Sequence, residues 1–88
     1  MKLVFSSTAW EDYRHWQDND TKLLARLNAL IEECRRHPFK GTGKPELLSG
    51  NLASWWSRRI DQQHRLVYRV SGSGATQALE VAQCRYHY

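Results

Sequence analysis

Glu46, Arg59, Arg65, His87 and Tyr88 are residues whose types fit one reaction together. Cleavage of RNA by its own 2′-hydroxyl needs a base to take that proton, an acid to protonate the departing 5′-oxygen and cations to stabilise charge on the phosphoryl group. Glu46 is the candidate base. His87 is the candidate acid, imidazole being the side chain that titrates nearest neutrality. Arg65 and Arg59 offer planar, permanently charged forks for the non-bridging oxygens, and Tyr88 a ring to stack on a base or a hydroxyl for the phosphate. The scheme uses no metal, and no His or Cys pair has the local spacing of a zinc ligand set, so no cofactor is expected. Taken singly each piece is ordinary: a loop acid, a histidine and a tyrosine at a terminus, arginines on a solvated strand. Their joint action depends on the elements that carry them.

The stretch from Trp55 to Val70 reads W-W-S-R-R-I-D-Q-Q-H-R-L-V-Y-R-V. From His64 on, Leu66, Tyr68 and Val70 alternate with Arg65, Val67 and Arg69, the period of a strand with one face on a core and the other, cationic face open. Trp55 to Ile60 is aromatic and β-branched enough to be its partner, with Asp61, Gln62 and Gln63 as the turn. A three-residue turn pairs Ile60 with His64 and sets Arg59 opposite Arg65. Like charges directly across a ladder repel, so a face carrying Arg59, Arg65 and Arg69 is best understood as built for an anion.

Lys2 to Phe5 reads as an opening strand. Thr8 with Glu11 fits a capping box for the first helix, and Ser6 or Ser7 could equally be the cap. That helix is expected to run to about Gln17, with Trp10, Tyr13 and Trp16 as its buried stripe and Glu11, Asp12 and Arg14 facing water. Asp18-Asn19-Asp20 breaks the pattern; Leu23, Leu24, Leu27, Leu30, Ile31 and Cys34 then recur at helical spacing as far as His37. Pro38 ends the second helix, and Phe39 to Leu48 has no period, two glycines and a proline, which makes it a loop. Within it Gly41-Thr42-Gly43-Lys44 lacks the spacing of a P-loop, which argues against nucleotide binding. Gly50-Asn51 turns the chain into the central hairpin, Ser71 to Thr76 is a flexible turn, and Leu79 to Cys84 is the last strand. The order predicts an α+β fold: an N-terminal strand and a two-helix hairpin packed on one face of a small antiparallel sheet, with the other face bare.

At 88 residues the chain is expected to form a single domain, 1–88, with one two-layer core. Thirteen Lys and Arg against nine Asp and Glu give a net charge of +4, which favours a polyanionic partner. Met1 to Thr8 does not read as a signal sequence and no run nears the roughly 20 apolar residues of a membrane span, so a cytoplasmic address with no membrane partner is expected. Cys34 and Cys84 are then expected to be small buried hydrophobes rather than a disulfide.

Six blocks carry a family likeness: W-x-D-Y at Trp10 to Tyr13, R-R-x-P-F at Arg35 to Phe39, G-x-G-K-P-E at Gly41 to Glu46, W-S-R-R-I at Trp56 to Ile60, H-R-L-V-Y at His64 to Tyr68 and C-R-Y-H-Y at Cys84 to Tyr88. With them the chain resembles, from Met1 to Tyr88, the YoeB toxins of the RelE superfamily, bacterial mRNA interferases paired with an antitoxin. The resemblance implies a RelE-like fold, Glu46 as general base, His87 as general acid, Arg65 as transition-state support, and Arg59 and Tyr88 as RNA contacts. It further implies cleavage of mRNA in the A site of the 70S ribosome, beside 16S rRNA, and a cognate YefM-like antitoxin whose disordered acidic tail covers the basic face. Members of this kind are often dimers, and the sequence leaves a homodimer open. Close relatives carry a Lys shortly after P-E-x-L, where this chain has Ser49, so that phosphate contact is missing or moved to Lys44. The turn from Ser71 to Thr76 is longer than the family's usual one. Two other readings use the same residues: a non-catalytic basic module that only binds RNA, and a ParE-like gyrase poison on the same fold, which acts on a protein and needs neither acid nor base.

Overall fold

The helical and alternating periods sort the chain into two layers. A first strand, β1 (Lys2–Phe5), leads into α1 (Ser7–Asn19) and α2 (Thr21–Arg36), and β2 (Glu46–Leu47), β3 (Trp56–Arg59), β4 (Arg65–Ser71) and β5 (Ala78–Gln83) follow. The computed structural model describes residues 1–87; Tyr88, the expected RNA contact, lies outside them. Ala9 and Trp16 of α1 and Leu27, Leu30, Ile31 and Cys34 of α2 close over Leu66, Tyr68, Leu79 and Val81 of the sheet. Among the described residues no helix is long and apolar enough to cross a membrane.

The expected α+β architecture is present, with two corrections to the sheet. Among the described residues it has five strands in the order β1-β5-β4-β3-β2, so four strands follow the helices rather than three. The extra one is β2, inside the segment expected to be loop. Glu46 pairs with Ser57 and Leu47 with Trp56, and two residues are too few to show a period, so β3 supplies the order that the local sequence does not. The second correction is direction: β1 runs parallel to β5, while the other ladders are antiparallel. A parallel pair needs a long crossover, and the helical hairpin begins it.

At the start of α1 the cap is Ser6, whose Oγ accepts the Ala9 amide at 3.0 Å. The same hydroxyl donates to the Ala82 carbonyl at 2.7 Å, and this anchor to β5 selects Ser6 over Thr8. The helix continues past Gln17 to Asn19 because Asp20 serves both helices: its amide donates to Trp16 O (2.9 Å), and its Oδ1 accepts the Leu23 amide (3.0 Å). The aromatic stripe of α1 is rotated from expectation. Trp10 is 50 % exposed, whereas Asp12, expected to face water, is buried beside Ala9 and Trp16. Asp12 is tolerated inside because its Oδ2 accepts the Cys84 amide at 3.0 Å.

Candidate active site

The hairpin of β3 and β4 has the register that a three-residue turn dictates. Arg59 pairs with Arg65, and the Ile60 amide donates to His64 O at 3.0 Å. Side chains alternate across a strand, so Glu46, Ser57 and Val67 form one row on the face away from the helices, and Arg59 and Arg65 form the next. Ladder spacings put the Cα atoms of Glu46 and Arg65 about 12 Å apart.

That face is not the bare cationic surface expected. Arg65 is only 8 % exposed, and Ser57 and Val67 are buried beside it. The Arg65 guanidinium folds back on the turn, donating from one terminal nitrogen to the carbonyls of Asp61 (2.9 Å) and His64 (3.1 Å). Arg69 is not an unpaired cation either: it pairs with Glu80, opposite it on β5, at 3.0 Å, and lies over the Trp55 ring at 4.4 Å. The Ser71 hydroxyl and then Arg69 hold the Glu80 carboxyl below its ordinary value. Trp55 thus stacks under an arginine, while Trp56 packs against the core and Phe39. Arg59 is the exposed member of the three.

Lys44 and Glu46 are brought to Arg59 by a residue that sequence reasoning missed. Arg58 follows Trp56 and precedes Ile60 on the helix-covered face, and it is fully buried. Its guanidinium donates to the Tyr68 hydroxyl (3.1 Å), to the carbonyls of His37, Lys40 (2.8 Å) and Thr42 (3.1 Å), and to the Glu33 carboxylate. Glu33 in turn accepts the Thr42 amide (2.9 Å) and hydroxyl (3.1 Å), bonds that with Arg58 hold its carboxyl below the usual range. Burial pushes the Tyr68 hydroxyl up to about 12, and it donates to Pro38 O. The segment from His37 to Thr42 is therefore tied to the core from beneath. Just beyond it Gly43 O accepts the Arg59 amide at 2.7 Å, and a Cβ on Gly43 would lie 3.0 Å from Arg59 O, so the close approach requires glycine. Lys44, exposed and with φ of 53°, emerges beside Arg59. Ser49 lies beyond the opposite end of the β2–β3 ladder, away from Arg59 and Arg65.

The C-terminal segment is fastened at two points. Cys84 receives the Trp16 indole N–H on its carbonyl (2.8 Å) and gives its amide to Asp12. Two residues on, Tyr86 O accepts the Arg65 amide (3.1 Å) and the Tyr86 amide donates to His64 Nδ1 (2.7 Å). His87, exposed, follows at once and so stands at the end of β4 that carries Arg65. Glu46, Lys44, Arg59, Arg65 and His87 are thus gathered at one end of the sheet. Cys34 and Cys84 are unbridged and buried, and burial pushes their thiols up to about 11 and about 12, in keeping with small core residues. Of the remaining histidines, His37 is exposed, His15 half-buried and His64 buried. Among the described residues no group of three or more His, Cys, Asp or Glu is placed to hold a metal ion.

The fold is shared. The YoeB-like toxins of bacterial type II toxin–antitoxin systems match residues 5–88. Toxin YoeB of Escherichia coli K12 is 49 % identical over 88 residues, the full length of both chains. A YoeB/ParE toxin from Agrobacterium tumefaciens superposes with a TM-score of 0.96 at 55 % identity over the whole of both chains. The toxin chain in a heterotetrameric YoeB–YefM complex from Staphylococcus aureus does so with 0.87 at 40 % identity, covering 100 % of this chain and 98 % of that one. With a match of this length and a common fold, the chain belongs to the YoeB-like toxins of bacterial type II toxin–antitoxin systems.

Proposed function

We propose that this toxin is a ribosome-dependent endoribonuclease that cuts translated mRNA in the A site. Glu46 takes the proton of the 2′-hydroxyl, Arg65 and Arg59 brace the phosphoryl oxygens as charge builds, and His87 protonates the leaving 5′-oxygen. Lys44 and Tyr88 contact the flanking RNA. The relay needs no metal. The observation that carries the reading is the cross-strand register: two arginines paired across the ladder, a carboxylate one row away, and a histidine carried to the same end by a bonded tail. The basic face also suits an acidic antitoxin segment, and the S. aureus relative's complex with YefM supports a YefM-like partner here.

Primer extension on a translated message tests the assignment. Glu46→Ala and His87→Gln, each folded, are expected to reduce the cuts made by the unmodified toxin to a residual trace, and the upstream fragment is expected to end in a 2′,3′-cyclic or 3′-phosphate. A 3′-hydroxyl end rules out this mechanism, and DNA damage without shortened message points to a gyrase poison.

A further inference from the structure

We infer that His64 is the positioning residue of this site: its imidazole, by accepting the Tyr86 amide, sets His87 against Arg65. The inference rests on the endoribonuclease reading above. A backbone amide can only donate, so His64 Nδ1 accepts at 2.7 Å and the neutral ring carries its proton on Nε2. His64 is 9 % exposed, and its ring lies edge-on to Trp16 at 4.7 Å and 6.1 Å from the Tyr86 ring, which fixes its orientation. The backbone of the same residue holds the other half of the site. Its carbonyl accepts the Arg65 guanidinium at 3.1 Å, and its amide donates to Asp61 Oδ1 at 2.7 Å, which anchors it in the turn.

A second observation lies in the tail. Tyr86 has φ of 65°, a left-handed conformation that a residue with a β-carbon adopts only when its surroundings hold it there. Both of its backbone polar groups are taken from the start of β4, the amide by His64 Nδ1 and the carbonyl by the Arg65 amide. Cys84 is fixed separately by Asp12 and Trp16 of α1. Loss of the imidazole acceptor therefore leaves Cys84 in place and removes one of the two backbone bonds holding the turn at Tyr86 that aims His87. His64 need not touch RNA to do this.

The test uses three variants of the full chain. His64→Asn keeps an acceptor near the position of Nδ1, His64→Phe keeps a ring without one, and His64→Gln moves the acceptor toward the position of Nε2. Amide exchange of Tyr86, followed by NMR without RNA, is expected to stay slow in the unmodified protein and in His64→Asn and to become fast in the other two. On translating ribosomes, His64→Phe and His64→Gln are expected to lose about 10- to 100-fold in kcat with KM little changed, as misaimed acids do, while His64→Asn recovers most of the rate. In a His87→Gln background none of the three is expected to lower residual cleavage further. Full activity of His64→Phe, additive losses with His87→Gln, or fast Tyr86 exchange in the active unmodified protein overturns the inference. If His64→Phe does not fold, the contrast between Asn and Gln decides it. Absence of cleavage by the unmodified toxin overturns the endoribonuclease reading and the positioning role with it, whereas fast exchange in a cleaving protein overturns the positioning role alone.

Discussion

Arg58 and Arg59 are neighbours in sequence and opposites in structure. The pleat turns Arg58 toward the helices, where its guanidinium is fully buried, with one carboxylate, one hydroxyl and three carbonyls as acceptors. It turns Arg59 the other way, exposed and opposite a second arginine. One cation is saturated by the protein; the other is set against a like charge and has room for an anion. The lesson is that the fold spends one arginine of the pair on building the site and keeps the other for what binds there.

The comparison breaks most visibly at Arg58. Arg58→Leu leaves the three loop carbonyls and the partly exposed Glu33 carboxylate without their donor, and each buried acceptor left unsatisfied costs about 1–3 kcal/mol. For a domain this small the thermal midpoint is expected to fall by at least about 12 °C, read by calorimetry. Because Arg58 also ties down the segment leading to Lys44 and Glu46, cleavage is expected to vanish with the fold. A folded Arg58→Leu protein with an unchanged midpoint would show that the acceptors rearrange without it and that Arg58 is no pillar.

The difference between the two arginines is also where sequence reading succeeded and failed. Period-two alternation in Leu66, Tyr68 and Val70 fixed the core face of β4, and the three-residue turn fixed Arg59 against Arg65. The same alternation, carried back through Trp56, Arg58 and Ile60, puts Arg58 on the core side, but a charge on an apolar face reads as noise unless its acceptors are in view. Those acceptors are mainly backbone carbonyls of a loop some 20 residues away, which no local pattern announces. Asp12 escaped for the same reason: an acid at a core position of α1 makes sense only once Cys84 arrives to donate to it. The paired state of Arg69 depended on Glu80, a cross-strand neighbour visible only when the ladder is known. Strand β2 was illegible because two residues carry no period.

Asp12 sharpens the contrast on the covered face, since its partner is an amide and not a cation. Burial raises its carboxyl above the ordinary value of 3.8, and the Cys84 amide offsets this only in part. The folded chain then holds a proton that the unfolded chain has released, so this residue's contribution to stability falls as pH climbs from 3.8 through the raised native value. Asp12→Asn keeps an acceptor for Cys84 without the buried charge. In urea titrations it is expected to match the unmodified protein below that window and to exceed it by up to about 1 kcal/mol at neutral pH. A gap that does not change with pH would mean that the carboxyl titrates alike in the folded and unfolded states and that burial does not shift it.

Arg59→Gln is the smallest change in stability and the most informative about the open face. Removal of an exposed cation that faces Arg65 is expected to alter stability by less than about 0.5 kcal/mol, with a slight gain from relief of the repulsion. If the face holds a phosphate, the same change removes a charge-assisted contact of about 1.5–3 kcal/mol, so cleavage falls by roughly ten- to a hundredfold. Loss of one phosphate contact also lowers the slope of log affinity against log salt by about one, which separates a binding role from a structural one. Equal losses of stability from Arg58→Leu and Arg59→Gln would erase the distinction between the two faces. A stable Arg59→Gln toxin that cleaves at the full rate with an unchanged salt slope would leave the facing arginines without an anion to explain them.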